Sequence, residues 1–177
     1  VSKKISPMRK KTRKKLSAQE KAQIKEQKAQ QTEITNILKN IGFSKLPYID
    51  GRKFQYDGRT TEMDDIFIYE NVILIVEYTI GAPGDHLLKK NYFYKKVNEN
   101  KRAFVDFLLA ESKLSSFKTY YDDKISHKYT KNQLHVKILY CSKQTISAEH
   151  KGLVDKDVLF FDYHIVKYFH SLTKVIK

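Results

Sequence analysis

Residues Glu62 to Thr79 constrain the fold more than any other stretch. Two apolar runs, Ile66-Phe67-Ile68-Tyr69 and Val72-Ile73-Leu74-Ile75-Val76, are separated only by Glu70-Asn71 and bracketed by carboxylates. β-Branched and aromatic residues at this density around a two-residue turn spell a hairpin with both faces buried. Side chains alternate across a strand, so Asp64, Ile66 and Ile68 share one face of the first strand, and Ile73, Ile75, Glu77 and Thr79 share one face of the second. If those faces coincide, Asp64 and Glu77 meet at the open end of the hairpin. Two carboxylates withdrawn from water repel each other, and a hard divalent cation, Mg²⁺ or Mn²⁺, is the usual neutraliser. Asp65 and Glu70 fall on the opposite face and in the turn, where they read as solvated acids.

Glu62-x-Asp64, the apolar hairpin and Glu77-x-Thr79 resemble the core motif of the PD-(D/E)XK nuclease superfamily, an Asp on one strand and (Asp/Glu)-x-Lys on the next. The resemblance is best over residues 32 to 110, and Thr79 stands where the motif has its lysine. In several branches of the superfamily that lysine comes from the following helix, and here Lys89 and Lys90 are the two candidates. The resemblance implies a restriction-endonuclease-like α/β fold, with a mixed central sheet of four to five strands flanked by helices. It further implies a Mg²⁺- or Mn²⁺-dependent endonuclease in which Asp64, Glu77 and the backbone carbonyl of Tyr78 hold the metal. Lys89 or Lys90 would be the catalytic cation, and Glu33, on the first core helix, is a candidate third carboxylate. Restriction, repair or phage defence is the implied setting. The alternative is a catalytically inactive module of the same fold that binds nucleic acid or mediates assembly, and the missing lysine is its best support.

Charge adds a partner. Of the net +14, residues 1 to 31 carry +9, from eleven Lys and Arg against Glu20 and Glu26. A basic arm of this kind, with Arg9, Lys10, Lys11, Arg13, Lys14 and Lys15 at its centre, suits the phosphates of a polyanion. DNA is the expected partner, with RNA as the second choice and a homodimer left open. Arg52, Lys53 and Arg59 precede the acidic hairpin and are further candidates for phosphate contact. No apolar run approaches the roughly 20 residues of a membrane span, and none near the start follows the basic run as a signal peptide requires. A cytoplasmic protein with no membrane contact is therefore expected. Cys141 is the single cysteine, placed in an apolar strand, and no zinc-ligand spacing or glycine-rich phosphate loop occurs.

Along the chain, Ser17-Ala18-Gln19-Glu20 has the form of a capping box, and the helix it opens gains Ile34, Ile37, Leu38 and Ile41 before Gly42 stops it. Residues 1–31 are read as a basic helical arm and residues 32–177 as the α/β domain. Phe43 to Thr61 reads as a loop with a short strand at most. Asp85 is the expected cap of the next helix, with a break at Asn98-Glu99-Asn100. An insertion follows over residues 111 to 132, then strands at His135–Cys141 and Asp157–Phe161. A closing helix runs from Tyr163 to Ile176, with Ile165, Tyr168, Phe169 and Leu172 facing inward.

Overall fold

The computed structural model describes residues 17–165 and Tyr168. The basic run Arg9, Lys10, Lys11, Arg13, Lys14 and Lys15 lies outside the described residues, as does most of the expected closing helix. Of that helix, Tyr163–Ile165 and Tyr168 are helical, and Tyr168 is exposed rather than inward-facing.

The capping box forms as the sequence requires. Ser17 Oγ accepts the Glu20 amide at 3.1 Å, Glu20 accepts the Ser17 amide at 2.7 Å, and α1 (Ala18–Asn40) begins there. Its first turns are exposed, and Gln30, Ile34 and Leu38 are buried at spacings of four. Gly42, at φ +104°, closes the helix in the left-handed region, with the Tyr69 ring packed against it.

After β1 (Ser44–Lys45), the stretch expected as a loop holds a hairpin of its own, β2 (Lys53–Tyr56) and β3 (Arg59–Glu62). Asp57-Gly58 forms the turn with both residues at positive φ, the geometry that matches strand twist in a two-residue loop. The turn residues read as loop signals because they are dense. What holds the strands is the packing of Phe54 and Tyr56 on Phe93, Phe104 and Phe107, on helices far along the chain.

The acidic hairpin is β4 (Asp65–Tyr69) and β5 (Val72–Thr79), joined by Glu70-Asn71. Two helices follow, α2 (Pro83–Glu99) and α3 (Lys101–Ala110), with the expected break between them at Asn100, whose side chain caps the Ala103 amide at 2.9 Å. Asp85 does not cap α2. Pro83 is already in its first turn, Ala82 occupies the cap, and no side chain bonds there. The insertion folds as α4 (Ser115–Tyr120) with a π-turn at Tyr121–Ile125, and it buries Leu114, Phe117 and Ile125. β6 (His135–Ser142), α5 (Ala148–Leu153) and β7 (Val158–Phe161) complete the described elements.

The main sheet has the order β1-β4-β5-β6-β7. β1, β4 and β5 pair antiparallel, and β6 and β7 join parallel to β5, giving a five-stranded mixed α/β sheet. One face packs Ile66, Ile68, Ile73, Ile75, Val136 and Ile138 against α2 and α3, and the other packs Phe67, Leu74, Val76 and Tyr78 against Ile34 and Leu38 of α1. No helix among the described residues is long and apolar enough to cross a membrane.

Candidate metal centre and basic cleft

In the β4–β5 ladder Asp65 pairs with Val76, so continuing the register sets Asp64 opposite Glu77. Residues opposed in an antiparallel pair share a face, here the one covered by α2. Asp64 lies just before the strand, and its Oδ2 accepts the Tyr78 amide at 2.8 Å. An extended residue directs its N–H and C=O to the same side, so the Tyr78 carbonyl opens toward Asp64 as well.

Glu77 is fully buried. Lys90 Nζ stands 2.8 Å from its Oε2 and donates to the Glu62 carbonyl at 2.7 Å. Lys90 is the group that faces Oε2, while Oε1, like the buried Tyr94 hydroxyl, lacks a hydrogen-bond partner among the described residues. Burial raises the Glu77 pKa to about 8, opposed by Lys90 and reinforced by Asp64. Burial also raises Asp64 to about 6, offset in part by the Tyr78 amide and Lys90.

Helix periodicity separates the two lysines. His86, Lys90 and Tyr94 lie at successive spacings of four on one face of α2, turned to the sheet, while Lys89 is rotated away and exposed. His86 Nδ1 is 3.0 Å from the hydroxyl of buried Tyr140, which itself sits opposite Glu77 in the β5–β6 ladder. Burial and the two lysines lower the His86 pKa, keeping the imidazole neutral near pH 7. Thr79, at the motif-lysine position, ends β5, and its hydroxyl lies beside Tyr140. Sequence reasoning missed His86, Tyr94 and Tyr140 as members of the site. The spacing of four through Lys90 was the available signal for the first two.

The remaining candidates are distributed as follows. Lys89 and Lys90 line a cleft of about 350 Å³ with Lys53, Thr60, Thr61, Glu62 and His86. Arg59 lines its narrow continuation, stacked 3.6 Å over the Tyr92 ring. Arg52 is turned elsewhere, its guanidinium donating to the Lys113 carbonyl. Glu33 is on α1, the helix that covers the opposite sheet face from Glu77. Asp65, expected as a solvated acid, is on the opposite face but buried, bonded to Lys45 Nζ at 2.6 Å and the Tyr78 hydroxyl at 2.9 Å. The correction comes from β1, whose Lys45 supplies a counter-charge that local spacing could not reveal. Cys141 is a buried free thiol whose pKa burial pushes well up, which keeps it protonated.

Among the described residues no group of three or more His, Cys, Asp or Glu side chains is gathered as a metal site. Two carboxylates and a backbone carbonyl therefore make up the candidate donor set. Its oxygen-only chemistry, with a buried Glu77 carboxyl whose Oε1 has no partner among the described residues, fits a hard divalent ion that completes its shell with water. Compared with protein-family models, curated proteins and solved structures, the chain matches none.

Proposed function

We propose that the protein is a metal-dependent nuclease of the PD-(D/E)XK type that hydrolyses phosphodiester bonds in DNA. The observation that carries this reading is the pairing of Lys90 with fully buried Glu77 beside Asp64. It supplies, from the helix after the second strand, the cation that Thr79 does not. Asp64, Glu77 and the Tyr78 carbonyl would hold Mg²⁺ or Mn²⁺, which supplies Lewis acidity and lowers the pKa of a bound water. Asp64 is fixed by the Tyr78 amide, so its second oxygen remains available. Lys90, with one donor on the Glu62 carbonyl, orients toward the carboxylates and can place its charge against a phosphate oxygen as negative charge develops. A basic cleft opens directly over this lysine.

A second reading is a catalytically silent nucleic-acid-binding module of the same fold. It is favoured by the position of Lys90, which stands 2.8 Å from Glu77 Oε2 and occupies that oxygen without a metal. Cleavage decides between them. With Mg²⁺ or Mn²⁺ the protein is expected to nick or cut DNA, and Asp64→Ala and Glu77→Ala to abolish cutting while retaining binding. Lys90→Ala is expected to slow cleavage by about 10²-fold or more, with Lys89→Ala affecting it far less. Absence of cleavage on duplex, single-stranded and branched DNA with both metals would establish the silent module instead.

A further inference from the structure

We propose that the cleft between the β2–β3 hairpin and the first turns of α2 is a backbone subsite, in which Lys53, Arg59 and Lys89 grip the phosphodiester next to the scissile one on an extended nucleic-acid strand. This rests on the phosphodiester reading of the Glu77–Lys90 centre and names how the substrate is held there. Lys53, Arg59 and Lys89 form no ion pair among the described residues, whereas Lys96, further along α2, is paired with Asp57 and Glu99. Three unpaired cations, from β2, β3 and α2, converge on one hollow, with Glu62 the single acid in its wall among the described residues. The main cleft and its narrow continuation share Thr60, Thr61, Lys89 and Lys90, so they are one channel leading to the ion pair.

The wall is built in advance of any ligand. The hairpin tip is pinned to α2 where Tyr92 donates to Asp57 Oδ2 at 2.7 Å and Lys96 pairs with the same oxygen at 3.6 Å. The Arg59 guanidinium carbon sits 3.6 Å from the Tyr92 ring centroid, a contact that restrains its donors and lowers the entropic cost of binding. The same contact covers one face of the Tyr92 ring, which also lines the channel. The polar lining of that channel is mainly the hydroxyls of Thr60 and Thr61 and the cations, groups that contact phosphate and sugar and carry no sequence information. The volume, about 350 Å³, exceeds what a lone phosphate fills and suits a nucleotide unit.

The test uses the full chain and a probe with few phosphates, the dinucleotide pdTpdT, titrated in EDTA, alongside cleavage of a longer DNA with Mg²⁺. Lys53→Ala, Arg59→Gln and Lys89→Ala are each expected to weaken dinucleotide binding about 3- to 10-fold and to raise the KM for cleavage by a similar factor. Lys118→Ala, on the remote α4, should change neither, and pdApdA should bind within twofold of pdTpdT. Arg59→Lys should recover only part of the loss, because an ammonium lacks the stacked plane. If the cleft variants bind the dinucleotide as Lys118→Ala does, the subsite is wrong even where DNA is cut. If they lose dinucleotide binding while no substrate is ever cut, the subsite stands and the hydrolase reading fails.

Discussion

The carboxyl of Glu77 keeps a proton that the unfolded chain gives up. Between pH 4.5 and about 8 the folded protein holds that proton and the unfolded chain does not, so stability falls as the pH rises through this window. Asp64 adds the same sign between pH 3.8 and about 6. In EDTA, urea denaturation should show the protein more stable at pH 5.5 than at pH 8, by on the order of a few kcal/mol. Glu77→Gln should flatten the curve above pH 6, and an unchanged slope would mean that Glu77 is ionised in the fold and paired with Lys90. Strand alternation alone made the shared face of Asp64 and Glu77 legible. How deeply Glu77 is buried was not, because its cover is Lys90 and Tyr94 from a helix beyond the hairpin. The choice between Lys89 and Lys90 was equally hidden, since it depends on which side of α2 meets the sheet.

At the scale of elements, the acidic hairpin and the ends of α1 were legible because local chemistry decides them, in the capping box, the two-residue turn and Gly42. The β2–β3 hairpin was not, because its polar outer residues and turn signals outweigh a core contribution made by Phe54 and Tyr56 alone. Lys45 was overlooked for a related reason: β1 is two residues long and has no pattern of its own. Gly42 offers a sharp element-scale test. Gly42 and Gly51 both hold positive φ, at +104° and +73°, yet only at Gly42 would an added Cβ meet a neighbour, the Tyr69 ring at 2.9 Å. Gly51→Ala should cost about 1 kcal/mol of backbone strain, and Gly42→Ala clearly more, up to about 3 kcal/mol. Equal losses in thermal or urea denaturation would show that the α1 end is not fixed by its packing on Tyr69.

Across the whole molecule, positive charge is divided between an amino-terminal run that has eight Lys and Arg and no acid in residues 1–16 and a cleft over the candidate metal centre. The two should act on different quantities. Deleting residues 1–16 is expected to weaken DNA binding at low salt and to flatten its log–log salt dependence by up to about 7 units, with melting temperature nearly unchanged. Unchanged binding would reassign the run as a spacer. The cleft, by contrast, governs where a strand lies relative to Glu77. The central claim is that Asp64 and Glu77 together hold a divalent ion, and calorimetric titration of Mn²⁺ into the full chain tests it most directly. Saturable binding is predicted, with proton release that grows as the pH is lowered from 8 to 6.5, because the raised Glu77 carboxyl must ionise to bind the metal. Glu77→Gln should abolish it and Lys90→Ala should preserve it. Equal Mn²⁺ binding by the wild type and Glu77→Gln, or none by either, would contradict the account.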